Sequence, residues 1–133
     1  MLIPISFSDP DFGVVYFEYG RWSASHNGTG VPILFYCGQQ GIDQRLRTEA
    51  IVAIRKVALL EQRGREYLAA TQPNWFVLKL SSLSVFYPES EWSHEKDFRH
   101  DGPIVSLEFT IPGDQNVVDV VFLGDNPVDL DYH

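Results

Sequence analysis

The most constraining feature of the sequence is a single change of hydrophobic period between residues 43 and 70. Apolar residues recur there at three- and four-residue steps, whereas the segments on either side alternate with a period of two. A stretch of this kind forms an amphipathic helix that buries one face. The sequence therefore predicts one long helix, 43–70, set between two groups of strands. The recurring apolar positions are Leu46, Ala50, Ile54, Val57, Ala58, Tyr67 and Leu68.

The ends and the outer face of this helix follow from local side-chain chemistry. Asp43 is the predicted N-cap, because a short carboxylate accepts the first free backbone N–H groups of a helix. Gly64 is predicted to end the helix or to bend it before a last turn, and Pro73 to stop it. Six of the ten basic residues lie on this element and are predicted to form its solvated face. They are Arg45, Arg47, Arg55, Lys56, Arg63 and Arg65.

Strand patterns lie on both sides of the helix. The segments FGVVYFEYG, RWSASHNGTG and VPILFYC precede it, and WFVLKLSSLSVFY, IVSLEFTIP and VVDVVFLGD follow it, the last two joined as a hairpin. Trp22 belongs to one of these patterns and is predicted to lie in the core. Because strands and helix are segregated, we expect an α+β fold: an antiparallel sheet of about six strands with the helix on one face, not a parallel βαβ sheet. The 133 residues suit a single domain, 1–133.

Charge is distributed unevenly along the chain. Residues 1–86 carry seven acidic and eight basic residues, whereas residues 87–133 carry eleven acidic and two basic ones, so the net charge of −8 arises in the last third. An acidic surface repels nucleic acid and anionic membranes and attracts a basic protein. The sequence therefore predicts a basic protein partner, with no nucleic acid and no membrane as partner.

The first residues, MLIPISFSDPDF, bear on location. They have no cationic segment, and their short apolar run is broken by Pro4, so the sequence predicts neither a signal peptide nor a membrane span. The single cysteine, Cys37, agrees with a reducing compartment. We therefore expect a cytoplasmic protein.

Residues 87–102, YPESEWSHEKDFRHDG, are the segment richest in candidate chemistry. His94, Asp97, His100 and Asp101 are residue types that ligate zinc and other divalent ions. An irregular loop gives their spacing no fixed geometry, however, and none of the paired zinc signatures is present. A solvated polar loop is therefore favoured over a metal site.

Other candidate catalytic features have equally plain interpretations. Cys37 closes an apolar run, where a free cysteine behaves as a small buried hydrophobe. Residues 38–41, GQQG, precede the helix, but no Gly-Lys-Ser/Thr follows, which favours a plain strand-to-helix turn over a phosphate loop. The carboxylate pairs 89/91 and 129/131 fall in loop or tail sequence, where water keeps both members ionised. The sequence therefore predicts no catalytic residue, no metal ligand, no cofactor and no enzyme activity.

Trp92 stands between Glu91 and Ser93 in the charged loop. A tryptophan in such a place either packs back onto its own core or serves as an anchor in a partner, because binding hot spots are aromatic residues ringed by polar groups. Both interpretations remain open.

The order of these segments resembles a known class of small proteins. Aromatic strands (FGVVYFEYG), one long helix (TEAIVAIRKVALLEQRGREYLAA) and a closing hairpin (IVSLEFTIPGDQNVVDVVFLGDNP) are similar in layout to the immunity proteins that bacteria encode beside polymorphic or secreted toxins. The resemblance covers most of the chain. It implies an inhibitor that binds a cognate toxin, commonly by covering a basic or catalytic cleft, and it transfers no residue role.

The leading hypothesis is therefore a non-enzymatic immunity protein whose acidic C-terminal third occludes a basic toxin. One alternative is a small metal-dependent hydrolase that uses His94, Asp97 and His100. Another is an acidic phage or structural protein that mimics nucleic acid. A monomer or a small homo-oligomer is expected. The predicted partner-binding residues are Glu89, Glu91, Trp92, Asp97, Asp125, Asp129 and Asp131.

Overall fold

A single sheet backed by two helices forms the described part of the chain. The computed structural model describes residues 5–25, 30–70, 78–87, 103–110 and 117–132. Within these ranges the helices are α1 (Gln44–Arg55) and α2 (Val57–Ala69). The strands are β1 (Ile5–Asp9), β2 (Gly13–Glu18), β3 (Arg21–Ser25), β4 (Pro32–Phe35), β5 (Lys79–Phe86), β6 (Ile104–Thr110), β7 (Val117–Leu123) and β8 (Asn126–Tyr132).

The strands lie side by side in sequence order, from β1 at one edge to β8 at the other. All neighbouring pairs are antiparallel except β4 and β5, which run parallel because α1 and α2 return the chain to the end of the sheet where β4 began. The α+β class is confirmed. The predicted antiparallel sheet of about six strands is matched only roughly, since the sheet is mostly antiparallel but eight strands are described and one pair is parallel.

The two strands missed by sequence patterns are the edges of the sheet. β1 is only five residues long, and β8 contains Pro127 and two aspartates. Edge strands tolerate proline and charge because one side of each strand makes no ladder hydrogen bonds. The alternation of apolar residues is therefore weakest at the edges, and residues 126–132 resemble a tail in the sequence.

The predicted long helix is divided at Lys56. This residue has φ −126° and ψ 25°, outside the helical region, so α1 ends before it and α2 begins after it. Leu46 and Ala53 in α1 and Leu60 and Leu68 in α2 are all buried. The apolar period therefore continues through the break, which explains why the sequence predicted one helix. Neither helix combines the length and apolar character that crossing a bilayer requires.

Asp43 and Gly64 can be compared with the roles predicted for them in starting and ending the helix. Asp43 is the N-cap, as predicted: its Oδ1 accepts the backbone N–H groups of Arg45 at 2.9 Å and Leu46 at 3.2 Å. Gly64 does not end the helix, which was one of its two predicted roles, since it lies buried inside α2, which continues to Ala69. A Cβ atom there would lie 3.4 Å from Phe122 and 3.5 Å from Phe109. Gly64 is therefore where the helix approaches the sheet closely.

The core lies between the helices and one face of the sheet. Trp22, Phe35, Phe109 and Phe122 are among its largest fully buried side chains, which confirms the core prediction for Trp22. The indole Nε1–H of Trp22 donates to the carbonyl oxygen of Gly38 at 2.9 Å, so its polar atom is satisfied. Strand alternation places every second residue of the inner strands in this core.

The basic residues of the helices do not form a simple solvated face. Arg47 binds Asp9 next to the β1–β2 turn, while Lys56 and Arg63 both bind Asp125 in the β7–β8 turn. These contacts join residues between 38 and 69 positions apart in sequence. Part of the positive charge on the helices therefore attaches them to the two ends of the sheet.

Candidate functional site on the far face of the sheet

The two faces of the sheet have different environments. Leu107 pairs with Val120, and both are buried under the helices. Because successive residues of a strand point to opposite faces, their neighbours Glu108 and Asp119 point away from the helices. We call this side the far face.

A line of carboxylates crosses the far face on strands β6, β7 and β8. Glu108 is the register partner of Asp119, and Asp119 is the register partner of Asp131. We call these three residues the carboxylate row. Neighbouring strands are about 4.8 Å apart, so the three carboxylates lie at successive strand spacings. Like charges in directly opposite positions oppose strand pairing.

The start of the carboxylate row is held by hydrogen bonds. The hydroxyl of Ser81 donates to Glu108 Oε1 at 2.9 Å and lies 3.1 Å from the Glu108 carbonyl oxygen. Ser81 is in the register irregularity between Leu80 and Ser82, where the ladder with β6 shifts by one residue. An irregularity of this kind re-aims side chains. Here it brings a donor to the first carboxylate of the row.

The structure separates the predicted partner-binding residues into three groups. Asp129 and Asp131 lie in β8 and not in a tail, and their register partners Val121 and Asp119 place them on the far face. Asp125 lies apart, in the turn before β8. The other four lie outside the described residues: Glu89, Glu91, Trp92 and Asp97.

Asp125 is engaged within the protein. Its carboxylate pairs with the Lys56 ammonium, and its carbonyl oxygen accepts a hydrogen bond from Arg63 at 3.1 Å. The hydrogen bond from Lys56 holds the pKa of the Asp125 carboxyl below its ordinary value. Asp125 therefore helps to attach the helices to the sheet, and we do not group it with the carboxylate row.

Glu108 and Asp119 were not among the predicted site residues. They alternate with apolar residues in the β6–β7 hairpin, so the sequence pattern marks them only as facing solvent. Their grouping depends on the register of β6 against β7 and of β7 against β8. The one sequence signal that could have found them is the excess of acidic residues after position 86.

Asp129 and Asp131 also have a structural effect at the edge of the sheet. Charged side chains and proline on an edge strand discourage the addition of a further strand, and β8 has Pro127 as well as both aspartates. Asp129 Oδ2 is shielded from solvent and accepts no hydrogen bond from the part of the chain that the structure describes. An unsatisfied buried acceptor costs about 1–3 kcal/mol, so this position is not optimised for stability alone.

The junction between β4 and α1 is the place where a parallel strand pair and a helix N-terminus could bind an anion. Asp43 already occupies it, because its Oδ1 accepts the two N–H groups of α1 and also the Tyr87 hydroxyl at 2.6 Å. The Tyr87 hydrogen bond is the main cause that lowers the pKa of the Asp43 carboxyl. A bound phosphate would meet this carboxylate, which favours the plain turn predicted for residues 38–41.

Cys37 lies in the same junction and is half-buried. Its thiol donates to the Gly41 carbonyl oxygen at 3.4 Å, and burial raises the pKa of the thiol, with the Asp43 charge acting in the same direction.

We expect iodoacetamide to modify Cys37 about tenfold more slowly at pH 7.5 in the folded protein than in urea, since little thiolate is present and access is restricted. Mass spectrometry of timed samples measures both rates. Faster modification of the folded protein would contradict the structural role.

The residues considered as metal ligands in the less favoured interpretation, His94, Asp97, His100 and Asp101, lie outside the described residues. Among those that the structure describes, no three His, Cys, Asp or Glu side chains lie together in the way a metal site requires. The carboxylate row is therefore an extended charged line and not a convergent ligand set.

Fold and surface define an α+β protein with one mixed sheet and a line of carboxylates on the face opposite its helices. No known family, curated protein or solved structure matches the chain.

Proposed function

We propose that this chain is a non-enzymatic binding protein, specifically an immunity protein that neutralises a basic toxin by covering it with an acidic surface. The carboxylate row carries the proposal. Three strands each place a carboxylate directly opposite the next. Such an arrangement is unfavourable for strand pairing, and natural sequences depart from local folding rules mainly where function demands it.

The distribution of charge supports the same interpretation. The carboxylate row, Asp129 and the acidic residues 89, 91 and 97 all belong to the part of the chain that carries a net charge of −9. Long-range attraction to a basic partner raises the association rate, and paired carboxylates accept the planar fork of arginine. Occlusion requires only a rigid charged surface, without a catalytic pocket.

The residues proposed to contact the toxin are taken partly from the structure and partly from the sequence. From the described sheet it takes the carboxylate row and Asp129, and from the sequence it takes Glu89, Glu91, Trp92 and Asp97. Asp125 is omitted because Lys56 and Arg63 already bind it.

The experiment has two steps. A toxin encoded beside this chain is co-expressed with it in a bacterial host, and rescue of growth identifies the pair. The association rate is then measured by stopped flow at low salt for the wild type and for an E89K/E91K variant. We expect the variant to associate about 10–100-fold more slowly, with a weaker dependence on salt, because steering is screened within a Debye length of about 10 Å at 0.1 M salt.

A matched control distinguishes the effect of the acidic surface on the association rate from the effect of net charge alone. E49K/E66K makes the same change of net charge on α1 and α2, and we expect its association rate to fall less than about threefold. D119N/D131N tests the carboxylate row directly and should also slow association. Equal slowing by the control and the test variants, or failure to rescue growth, would count against the proposal.

A further inference from the structure

A second surface lies on the half of the far face formed by β2, β3 and β4. Four of its side chains are strongly exposed for their size: Val14 at 50%, Tyr16 at 49%, Tyr36 at 43% and Tyr19 at 84% of their surface. Glu18 and Arg21 lie among them. We call these six residues the tyrosine patch.

The strand register explains why these side chains share one face. Phe17 pairs with Trp22, and both face the core, so the next pair outward, Glu18 with Arg21, faces the opposite way. Tyr16 is on the same face, two residues before Glu18. The pleat of the sheet therefore presents Tyr16, while Tyr19 lies in the β2–β3 turn and Tyr36 directly follows β4.

The β2–β3 turn adds an unusual conformation. Tyr19 has φ +55° and Gly20 has φ +78°. Two successive positive φ values suit the tight turn of a hairpin, but a bulky residue rarely adopts one, and asparagine or glycine is the usual choice. Strained residues concentrate at functional sites. Here the strain accompanies an aromatic ring held in solvent.

Arg21 is held between two rings. Its guanidinium carbon lies 6.0 Å from the ring centre of Tyr19 and 5.9 Å from that of Tyr36. Its Nε is shielded from solvent and donates no hydrogen bond to a described residue. Glu18 is its register partner, yet among the described ion pairs neither residue takes part. A cation and an anion therefore lie side by side on an aromatic surface, and neither has an ion-pair partner there.

This arrangement is self-complementary. In a two-fold symmetric interface the same patch meets itself, so a residue that contacts a second residue across the axis is also contacted by it. Glu18 of one copy can then pair with Arg21 of the other, twice, inside a ring of tyrosines. Tyrosine and arginine are the residues enriched at the centres of protein interfaces.

The distribution of charge also favours a second copy of this protein as the partner that binds the tyrosine patch. The tyrosine patch belongs to residues 1–86, where the net charge is +1, whereas the carboxylate row lies on β6–β8 at the other end of the sheet. Two copies can therefore meet here without bringing their acidic halves together. We propose that the protein forms a symmetric homodimer through the tyrosine patch, with Glu18 and Arg21 exchanged between copies. The carboxylate rows of both copies stay outside this interface.

Sedimentation velocity over about 1–300 μM at 0.15 M salt tests the dimer, since a small exposed patch predicts a dissociation constant in the micromolar range. R21E should weaken dimerisation at least tenfold. R55E makes the same change of net charge on the exposed face of α1 and should change it less than about twofold. A wild type that stays monomeric throughout this range, or equal effects of the two variants, would overturn the proposal.

Mixing two variants shows whether the pair forms between copies. E18R presents two cations and R21E presents two carboxylates, so each alone should dimerise at least tenfold more weakly than the wild type, whereas an equimolar mixture should form a heterodimer. The E18R/R21E double variant keeps the wild-type net charge and should recover the homodimer. A role of these residues within one copy predicts no heterodimer on mixing, and that result would also overturn the proposal.

Discussion

Replacing Arg47 with methionine is expected to lower the free energy of unfolding by about 3–5 kcal/mol, because it leaves a buried carboxylate without its cation. The Asp9 side chain is completely buried, and the Arg47 side chain keeps 15% of its surface exposed. Few single replacements on the surface of α1 should approach this effect.

The geometry of Asp9 explains the size of the effect. Its Oδ1 accepts the backbone N–H groups of Asp11 at 2.8 Å and Phe12 at 3.1 Å, which fixes the turn between β1 and β2. Arg47 donates to both carboxylate oxygens of Asp9 and also to Asp11, and its guanidinium lies 5.6 Å from the ring centre of Phe12. One arginine therefore attaches the first hairpin to α1.

Urea unfolding followed by circular dichroism measures the loss. R55M is the matched control, since Arg55 is exposed on the same helix, and it should change stability by less than about 0.5 kcal/mol. The D9N/R47M double variant removes both charges and should be less destabilised than the sum of the single variants. An R47M protein within about 1 kcal/mol of the wild type would show that Asp9 finds water or another donor.

Two substitutions of Gly64 are expected to have opposite effects. An added Cβ meets Phe122 and Phe109 at 3.4–3.6 Å, which is ordinary van der Waals contact. Alanine therefore fits, and its better helix propensity should stabilise the protein by about 0.5–1 kcal/mol. Leucine adds three further carbons against the two rings and should destabilise it by about 3 kcal/mol, by forcing α2 away from the sheet.

The same unfolding measurement distinguishes the two effects. G64A should raise the urea midpoint and G64L should lower it, with unchanged slopes if the folded state stays compact. A G64L protein as stable as wild type would mean that the gap between α2 and the sheet can widen freely. A destabilised G64A protein would mean that the contact with Phe122 is already tight.

The fold class could be predicted because it depends on local patterns. The change from strand to helix period, the Asp43 cap and the β6–β7 hairpin are all encoded within a few neighbouring residues. The break at Lys56 could not be predicted, since the apolar period runs through it unchanged. The parallel pairing of β4 with β5 could not be predicted either, because it joins residues about fifty positions apart.

The sequence predicted the negative charge of the candidate site but not the arrangement of its residues. Composition places the acidic excess after residue 86, but the carboxylate row depends on two registers that no local pattern specifies. Asp125 was grouped with Asp129 and Asp131 by proximity in sequence, and its attachment to Lys56 spans 69 positions. The tyrosine patch was missed because its aromatic residues looked like ordinary strand formers.

The one parallel pair divides the sheet into two four-stranded meanders, β1–β4 and β5–β8. Within each meander every strand pairs with its neighbour in the chain, and the longest connection to be closed is residues 87–103, between β5 and β6. The seam between them has three register pairs, Ile33 with Leu83, Leu34 with Ser84 and Phe35 with Val85. Joining the meanders requires closure of the longest connection, through both helices. Because long loops are the costliest to close, we expect assembly of this seam to be the slowest search on the folding route.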